Sequence, residues 1–318
     1  MLKYLIVQLD DISGSFCHYN NDKTEARLID LSVLKEALIW SMKENLNVQF
    51  LYPDYELPTS YKDLISTIYH ADIVSSTCKV TELRDDADIV VFDSWYAIGL
   101  YTFKQDQTYV IRTTFSELFE NVAILDTLIS SLSRLNVVIT DIQNFNTETE
   151  EKYSKFLENL NIKIAQEYKR DHSVQVNILT DRIMLDTMNN CSSGAESITL
   201  APDGKFYICP GFYADGSSSV GDVKSGLNIR NQQLYRFDHA PICRICDAWH
   251  CKRCVWQNKH LTLEVNTPGR EQCVMAHIER NASRKLLTKI RELGSFLSDK
   301  DIPEINYLDP FEEVIKKN

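Results

Sequence analysis

The sequence predicts an α/β protein in which a parallel sheet with helical crossovers is followed by a small cysteine-rich α+β module. Two observations predict this fold class. Six apolar runs alternate with mostly helical segments over residues 1–185, and seven of the nine cysteines fall between Cys191 and Cys273. Strands separated by helices pair in parallel, because each helix carries the chain back to the starting edge of the sheet.

The strands are short apolar runs of the kind that is buried on both faces of a sheet. We predict them at Tyr4–Leu9, Val48–Tyr52, Asp88–Phe92, Tyr109–Thr113, Val137–Thr140 and Val176–Leu179. Aspartates follow four of these runs, at Asp10, Asp93, Asp141 and Asp181. A functional rim of carboxylates is one interpretation of that pattern. Strand termination and helix capping is the favoured one.

Helical periodicity and end signals predict the intervening helices. They lie at Leu31–Leu46 with Asp30 or Ser32 as cap, Tyr61–Tyr69, residues 115–132, a segment beginning near Glu148, and Val274–Leu293 with Gly294 as stop. The tail, residues 295–318, is predicted to be peripheral. These elements divide the chain into a barrel-like domain at 1–185, a cysteine-rich domain at 186–294 and the tail.

The cysteine-rich segment predicts a metal site. Its cysteines are Cys191, Cys209, Cys243, Cys246, Cys251, Cys254 and Cys273. Without a secretion signal, such a cluster indicates metal rather than disulfides. The core of the segment is two CxxC pairs only four residues apart. Zinc sites usually draw their pairs from more distant positions, whereas closely spaced thiolates are typical of ferredoxin-like iron–sulfur ligation.

Seven cysteines divide as four plus three, which predicts two iron–sulfur clusters. One of them would keep an open position for another side chain, a substrate or water. Structural zinc and metal-free buried thiols are the alternatives. His250 and His260 are candidate additional ligands, although a histidine beside a cysteine cluster is more often a surface group or one that supports a ligand.

The order of residues in this segment resembles the SPASM domain, an auxiliary-cluster module of radical S-adenosylmethionine (AdoMet) peptide maturases. A hairpin of residues 197–200 and 205–209, turning at Pro202-Asp203-Gly204, carries Cys209 on its return strand. The spacing inside the quartet is shorter than in that family by one residue at two places. The resemblance implies two [4Fe-4S] clusters, one on Cys243, Cys246, Cys251 and Cys273, the other on Cys191, Cys209 and Cys254.

An open (β/α)6 barrel before such a module is also similar to radical AdoMet enzymes. In active members the loop after the first strand carries CxxxCxxC. Here the matching places are Asp10, Gly14 and Cys17, after an aromatic residue, Phe16. One thiolate cannot hold a four-iron cluster, so neither AdoMet binding nor its cleavage is expected. Cys17 is then a half-buried leftover thiol, or with His18 a reactive or metal-binding pair.

Other features of active members are also missing. The Gly-Gly-Glu segment expected after the second strand is replaced by Pro53-Asp-Tyr-Glu56, and no glycine follows the fifth strand at Ile142-Gln-Asn144. Their joint loss agrees with the altered first loop. The sequence therefore predicts a barrel that has lost radical chemistry.

Both ends of the chain, residues 5–19 and 264–284, are similar to those of CXXX repeat peptide maturases, which are radical AdoMet/SPASM-like proteins lacking the three-cysteine motif. The resemblance implies a role in maturing a ribosomally synthesised peptide with repeated cysteines, the RiPP class. We expect that precursor peptide as a partner, with a further modification protein as a second one. The alternative is a non-catalytic scaffold that presents the peptide to that partner enzyme, so the sequence leaves enzymatic activity uncertain.

Composition excludes other classes. The net charge of −11 argues against nucleic-acid binding, because phosphate contacts need a basic surface. The apolar run at the amino terminus is too short for a signal peptide or a membrane span. We therefore predict a cytoplasmic protein without a membrane partner, in a compartment where thiols stay reduced.

Overall fold

A computed structural model describes residues 2–185, 190–248, 251 and 254–294 of the protein. Its main feature is one nine-stranded, mostly parallel sheet, with strand order β7-β6-β5-β4-β3-β2-β1-β8-β9. The strands are β1 (Tyr4–Gln8), β2 (Asn47–Leu51), β3 (His70–Ser75), β4 (Ile89–Phe92), β5 (Thr108–Thr113), β6 (Arg134–Ile139), β7 (Gln175–Val176), β8 (Ser197–Leu200) and β9 (Phe206–Tyr207). Neighbouring strands are parallel except β8 and β9, which form the predicted hairpin.

Helices connect successive strands. They are α1 (Leu31–Lys43), α2 (Thr59–Ile65), α3 (Thr81–Asp86), α4 (Trp95–Ile98), α5 (Phe115–Glu120), α6 (Val122–Ile129), α7 (Thr147–Lys169), α8 (Asp181–Met184), α9 (Pro210–Ala214), α10 (Val255–Thr262) and α11 (Arg270–Glu292). A small ribbon, β10 (Gly221–Asp222) and β11 (Gly226–Leu227), lies outside the main sheet. Asp30 caps α1 as predicted, because its carboxylate accepts hydrogen bonds from the first free backbone N–H groups.

Several elements differ from the prediction. The helix predicted at Tyr61–Tyr69 is α2, which begins at Thr59 and ends at Ile65. β3 was not predicted, because its polar residues His70 and Asp72 interrupt the apolar pattern. The segment 115–132, predicted as one helix, forms two helices. They are separated at Asn121, whose φ of −110° is not helical. The last predicted strand shortens to two residues, because Thr180 closes a turn onto the backbone of Val176.

The two faces of the sheet have different coverings. The helices pack on one face and enclose the large core, which includes Leu5, Val7 and Phe50. The opposite face carries a small cluster of five residues from β2 to β6, namely Leu51, Ile73, Val91, Val110 and Val138. Phe16, from the loop after β1, packs against that cluster. The β1 loop therefore folds back over the sheet.

The chain after residue 185 continues the same sheet. β8 pairs with β1 in parallel, and α11 packs along α7. This pairing brings the predicted cysteine-rich domain against the first strand. The predicted domain boundary has no separate test in the structure, and the predicted tail lies outside the described residues.

Candidate metal centre

All nine cysteines are free of disulfide bonds. Eight of them form two groups whose members are close enough for their charges to interact. The first thiol group is Cys17, Cys191, Cys209 and Cys254, and the second thiol group is Cys243, Cys246, Cys251 and Cys273. Cys17 thus lies beside the three cysteines that the resemblance assigns to one cluster, and the binding of metal by either group stays a prediction.

The first thiol group is assembled from four separate segments. Cys17 lies in the β1 loop, Cys191 precedes β8, and Cys209 and Cys254 are the residues directly before α9 and α10. Burial, and next the charge of Cys191, raise the pKa of Cys17 to about 12. Burial and the neighbouring Cys254 and Cys17 also raise the pKa of Cys209. Thiols in this state become good ligands only when a cation offsets their mutual repulsion.

The second thiol group is formed by a short 3-10 turn, the segment after it, and the first turn of α11. Cys243 begins the turn, Cys246 follows it, and Cys273 lies in the first turn of α11. Burial, and next Cys273, Cys243 and Cys246, raise the pKa of Cys251. Ala248 and Ala276 pack beside Cys251, and their small side chains let the segment approach the helix closely.

A histidine and an aspartate that the sequence analysis did not identify lie next to the second thiol group. Cys246 Sγ is 3.4 Å from His277 Nε2, and ligand atoms of Cys246, Asp247 and His277 lie within 4.8 Å of one another. A sequence signal was available, because Cys273 and His277 are four residues apart on one helix and so share a face. His277 is thus a candidate ligand or a hydrogen-bond donor to a bound thiolate.

Buried arginines surround the second thiol group. Burial raises the pKa of Cys246 to about 11, and the charge of Arg280, which pairs with Asp247, opposes that rise. Arg182 is 1% exposed and 2.6 Å from Glu279, and its charge also acts on Cys251. Positive side chains at such positions offset the negative charge that thiolates around a cluster would bring.

The spacing of the sulfurs allows a test of which metal fits. Among the described residues, no three sulfurs of either group lie within 4.8 Å of one another. A tetrahedral zinc with bonds of about 2.3 Å would hold its thiolates about 3.8 Å apart. An iron–sulfur cluster is larger than one ion and spaces its four thiolates more widely. The wider sulfur spacing is that of a cluster, whereas the compact set of Cys246, Asp247 and His277 has the spacing that a single ion needs.

The remaining candidate ligands do not join either group. His260 stacks on Trp256 at 4.2 Å and lies 3.5 Å from Asp215, at the surface. His250 lies outside the described residues. Cys78 is buried, and its charged neighbours are Asp54, Arg84 and Lys79 rather than other cysteines.

The four aspartates after the strands each have a separate structural partner. Asp10 accepts from Tyr55, Asp93 pairs with Arg112, Asp141 accepts from the backbone of Phe115, and Asp181 pairs with Arg134. Nowhere in the described ranges do they form a shared site. The favoured interpretation, strand termination and helix capping, fits Asp10 and Asp141, which accept from the backbone N–H groups of Ile12 and Phe115. Asp93 and Asp181 form ion pairs with arginines instead.

The β1 loop does not fit a cofactor-splitting cluster. Asp10 is fully buried, and the Tyr55 hydroxyl donates to its Oδ2 at 2.7 Å. Gly14 offers no ligand atom, and a Cβ there would make one ordinary contact, 3.6 Å from Ser75 Cβ. Of the three positions aligned with CxxxCxxC, Cys17 alone offers a thiolate, whereas a cofactor-splitting cluster needs three.

Comparison with solved structures finds likenesses to proteins that bind AdoMet. A structure of hexahistidine-tagged anSMEcpe with bound AdoMet is similar at a TM-score of 0.60 and 12% identity, covering 92% of this chain and 100% of that one. Native anSMEcpe with bound AdoMet and the Cp18Cys peptide has a TM-score of 0.59 and 13% identity, with the same coverage of both chains. Streptococcus suis SuiB bound to precursor peptide SuiA has a TM-score of 0.41 and 10% identity, covering 74% of this chain and 64% of that one.

The two anSMEcpe similarities concern the fold, and they confirm the predicted fold class, an α/β protein whose mostly parallel sheet resembles the (β/α) barrel of those structures. No protein-family model matches the sequence, and no curated protein is similar to it in sequence. None of the helices within the described ranges combines the length and the apolar character that crossing a bilayer requires.

Proposed function

We propose that this protein takes part in the maturation of a ribosomally synthesised peptide with CXXX repeats, using two [4Fe-4S] clusters and without cleaving AdoMet. The observation that carries the proposal is the convergence of eight cysteines into two groups on this fold. The likeness to anSMEcpe, whose structures hold AdoMet and a peptide, supports a peptide-directed role.

The absence of AdoMet cleavage follows from the β1 loop. Phe16 packs on the sheet face, and Asp10 is already bonded to Tyr55. The loop offers Cys17 alone as a thiolate, so no radical-generating step is assigned to the chain.

In this proposal the clusters are held by the two thiol groups, and iron–sulfur clusters supply one-electron transfer when they are bound. The surrounding residues exclude water and balance charge. Arg182 and Arg280 place positive charge beside the second thiol group, and Ala248 and Ala276 close the segment onto α11. Cys191 is exposed, so the first thiol group reaches the surface there.

We place the peptide at the carboxyl edge of the parallel strands, where α/β folds generally bind ligands. Two apolar side chains near this edge support the placement. Tyr96 and Leu100, which follow β4, are 79% and 72% exposed. Exposed apolar residues of this size mark surfaces that a partner covers.

A second candidate is a non-catalytic scaffold that presents the peptide to a modification enzyme. The altered β1 loop favours it, because the fold then keeps its peptide surface while lacking the three-thiolate site. Both candidates require peptide binding, and they differ in whether the peptide is changed.

Peptide binding and its chemical outcome can be measured together. Anaerobically purified holoprotein is titrated with a fluorescent synthetic peptide carrying cysteine at every fourth position, and with the same peptide carrying serine instead. We expect tighter binding of the cysteine peptide. A change in its mass after incubation with a reductant identifies a maturase, and an unchanged mass identifies a scaffold. Equal affinity for both peptides, or no binding, would contradict the proposal.

A further inference from the structure

We infer that Cys17 is the fourth ligand of the cluster held by Cys191, Cys209 and Cys254, and that it closes the coordination position that these three leave open. The inference rests on the proposed presence of two clusters. It assigns a metal-binding role to the one cysteine of the β1 loop, which the sequence analysis favoured as a leftover thiol.

The first observation is a three-way contact beside Gly211. A Cβ added there would lie 2.9 Å from Trp256 Cδ1 and 3.0 Å from Tyr19 Cβ. Tyr19, Gly211 and Trp256 each follow a cysteine of the first thiol group by two residues. The segments that carry Cys17, Cys209 and Cys254 therefore meet at one point, which is held close by the absence of a side chain at Gly211.

The second observation connects Cys191 to the same point. Thr199 pairs with Tyr207 in the antiparallel β8–β9 hairpin. Two residues further along each strand, the same register places Ser197 opposite Cys209. The Ser197 hydroxyl donates to the carbonyl of Cys191 at 3.1 Å. Tyr235 lies against Gly194, and its pKa is raised by burial and next by Cys209. Cys191 and Cys209 are therefore neighbours across the start of β8.

The third observation is that hydrogen bonds from the sheet fix the backbone at Cys17. Arg112 Nε donates to the Cys17 carbonyl at 2.8 Å, and Arg112 Nη2 donates to the Tyr19 carbonyl at 2.6 Å. His18 Nδ1 is 2.9 Å from the Ile139 carbonyl. Since a carbonyl only accepts, that nitrogen carries the proton. The loop is thus hydrogen-bonded to β5 at Cys17 and Tyr19 and to β6 at His18.

A closed cluster has a different use from an open one. With four thiolates, no iron is left to bind a thiolate of the peptide, so the first cluster serves electron transfer or structure. It also joins the β1 loop to the segments before β8, α9 and α10. Loading the cluster should therefore stabilise the barrel and the cysteine-rich segment together.

The test compares Cys17→Ala and Cys17→Ser with Cys78→Ala, a matched buried cysteine that is remote from both groups. Each holoprotein is purified anaerobically and assayed for iron, sulfide, and the EPR spectrum before and after reduction, with circular dichroism to check folding. We expect about eight iron atoms per chain in the wild type and in Cys78→Ala. For Cys17→Ala we expect between about four and seven, with the EPR signal of a three-iron cluster before reduction or loss of one cluster signal after it. Cys17→Ser should keep its iron better but change one EPR signal.

A measurement on the wild type keeps the inference testable if the variants do not fold. Adding cyanide to the reduced wild-type protein should leave both EPR signals unchanged, because a closed cluster has no open iron to bind it. A cyanide-shifted signal, or Cys17 variants with wild-type iron and EPR spectra, would overturn the inference and leave the proposed clusters intact. A wild-type protein that carries zinc or no metal would instead overturn the proposed function itself.

Discussion

The guanidinium of Arg112 donates through Nε to the carbonyl oxygen of Cys17, at 2.8 Å. The same group donates to the Tyr19 carbonyl and pairs with Asp93, so a single side chain on β5 sets the path of the β1 loop. Arg112 is 9% exposed, and its hydrogen bonds are therefore largely shielded from water. In this way the strand that follows β4 fixes a thiol that lies 95 residues earlier in the chain.

Replacing Arg112 should loosen Cys17. In Arg112→Gln, buried carbonyls lose their donor, and we expect a loss of about 2 kcal/mol in the free energy of unfolding of the metal-free protein, measured in urea. Iron should also leave the holoprotein faster when a chelator is added. Arg236→Ala is the control, since its pair with Asp238 is exposed and should contribute little. Equal iron-release rates for wild type and Arg112→Gln would contradict this role.

A buried charged network should dominate the packing of α11. Glu279 is 1% exposed, accepts from the Tyr153 hydroxyl at 2.6 Å and pairs with Arg182. Glu279→Gln removes the carboxylate that balances the buried Arg182 charge and should cost about 3–5 kcal/mol in the free energy of unfolding. Tyr153→Phe removes one hydrogen bond and should cost about 1 kcal/mol. Similar costs for the two variants would show that the charge pair is not the dominant interaction.

His70 should make stability depend on pH. Its Nε2 is 3.4 Å from Asp72, and the interaction with that carboxylate raises the pKa of His70 more than burial lowers it, with Asp88 adding to the rise. The stabilisation is fully present below the unfolded pKa of about 6.5 and is lost as pH rises through the higher folded pKa.

The difference in unfolding free energy between wild type and His70→Gln should therefore be largest in mild acid and should disappear at alkaline pH. His239→Gln, at an exposed position, is the control. A difference that grows as pH rises would contradict the assigned pair.

Peptide binding should depend on the exposed apolar residues after β4. Tyr96→Ala combined with Leu100→Ser removes apolar surface that the peptide would cover, so we expect about tenfold weaker binding in the fluorescence titration, with iron content unchanged. Tyr69→Ala is the matched control, because Tyr69 is 97% exposed but precedes β3, at the opposite edge of the sheet. If Tyr69→Ala weakened peptide binding as much as the double variant does, the peptide would not be bound at the carboxyl edge of the sheet.

The apolar pattern predicted most of the fold because the parallel strands are buried on both faces. β3 was missed for a local reason. In β3, Ile73 and Val74 are fully buried, while His70 and Asp72 interact with each other beside Asp88. A polar pair inside a strand shortens the apolar run by which the strand is predicted from sequence. The strand is then recognisable only from its pairing with neighbouring strands.

The candidate site was predictable where its ligands are close in sequence. The second thiol group lies mostly within one short segment, and its four members are the ones that the resemblance places together; their role as ligands stays a prediction. The place of Cys17 was not predictable, because it depends on how the β1 loop folds back and on the contact of Tyr19 with Gly211, about 190 residues away. His277 had a usable signal in its spacing from Cys273, which the sequence analysis did not use.

The metal content of the wild-type protein tests the central claim most directly. The chain is purified without oxygen, without reconstitution and with its cysteines unmodified, and iron, sulfide and zinc are measured per chain. Two groups of four thiols predict about eight iron and about eight sulfide per chain with little zinc. About one or two zinc per chain, with iron and sulfide absent, would contradict the account.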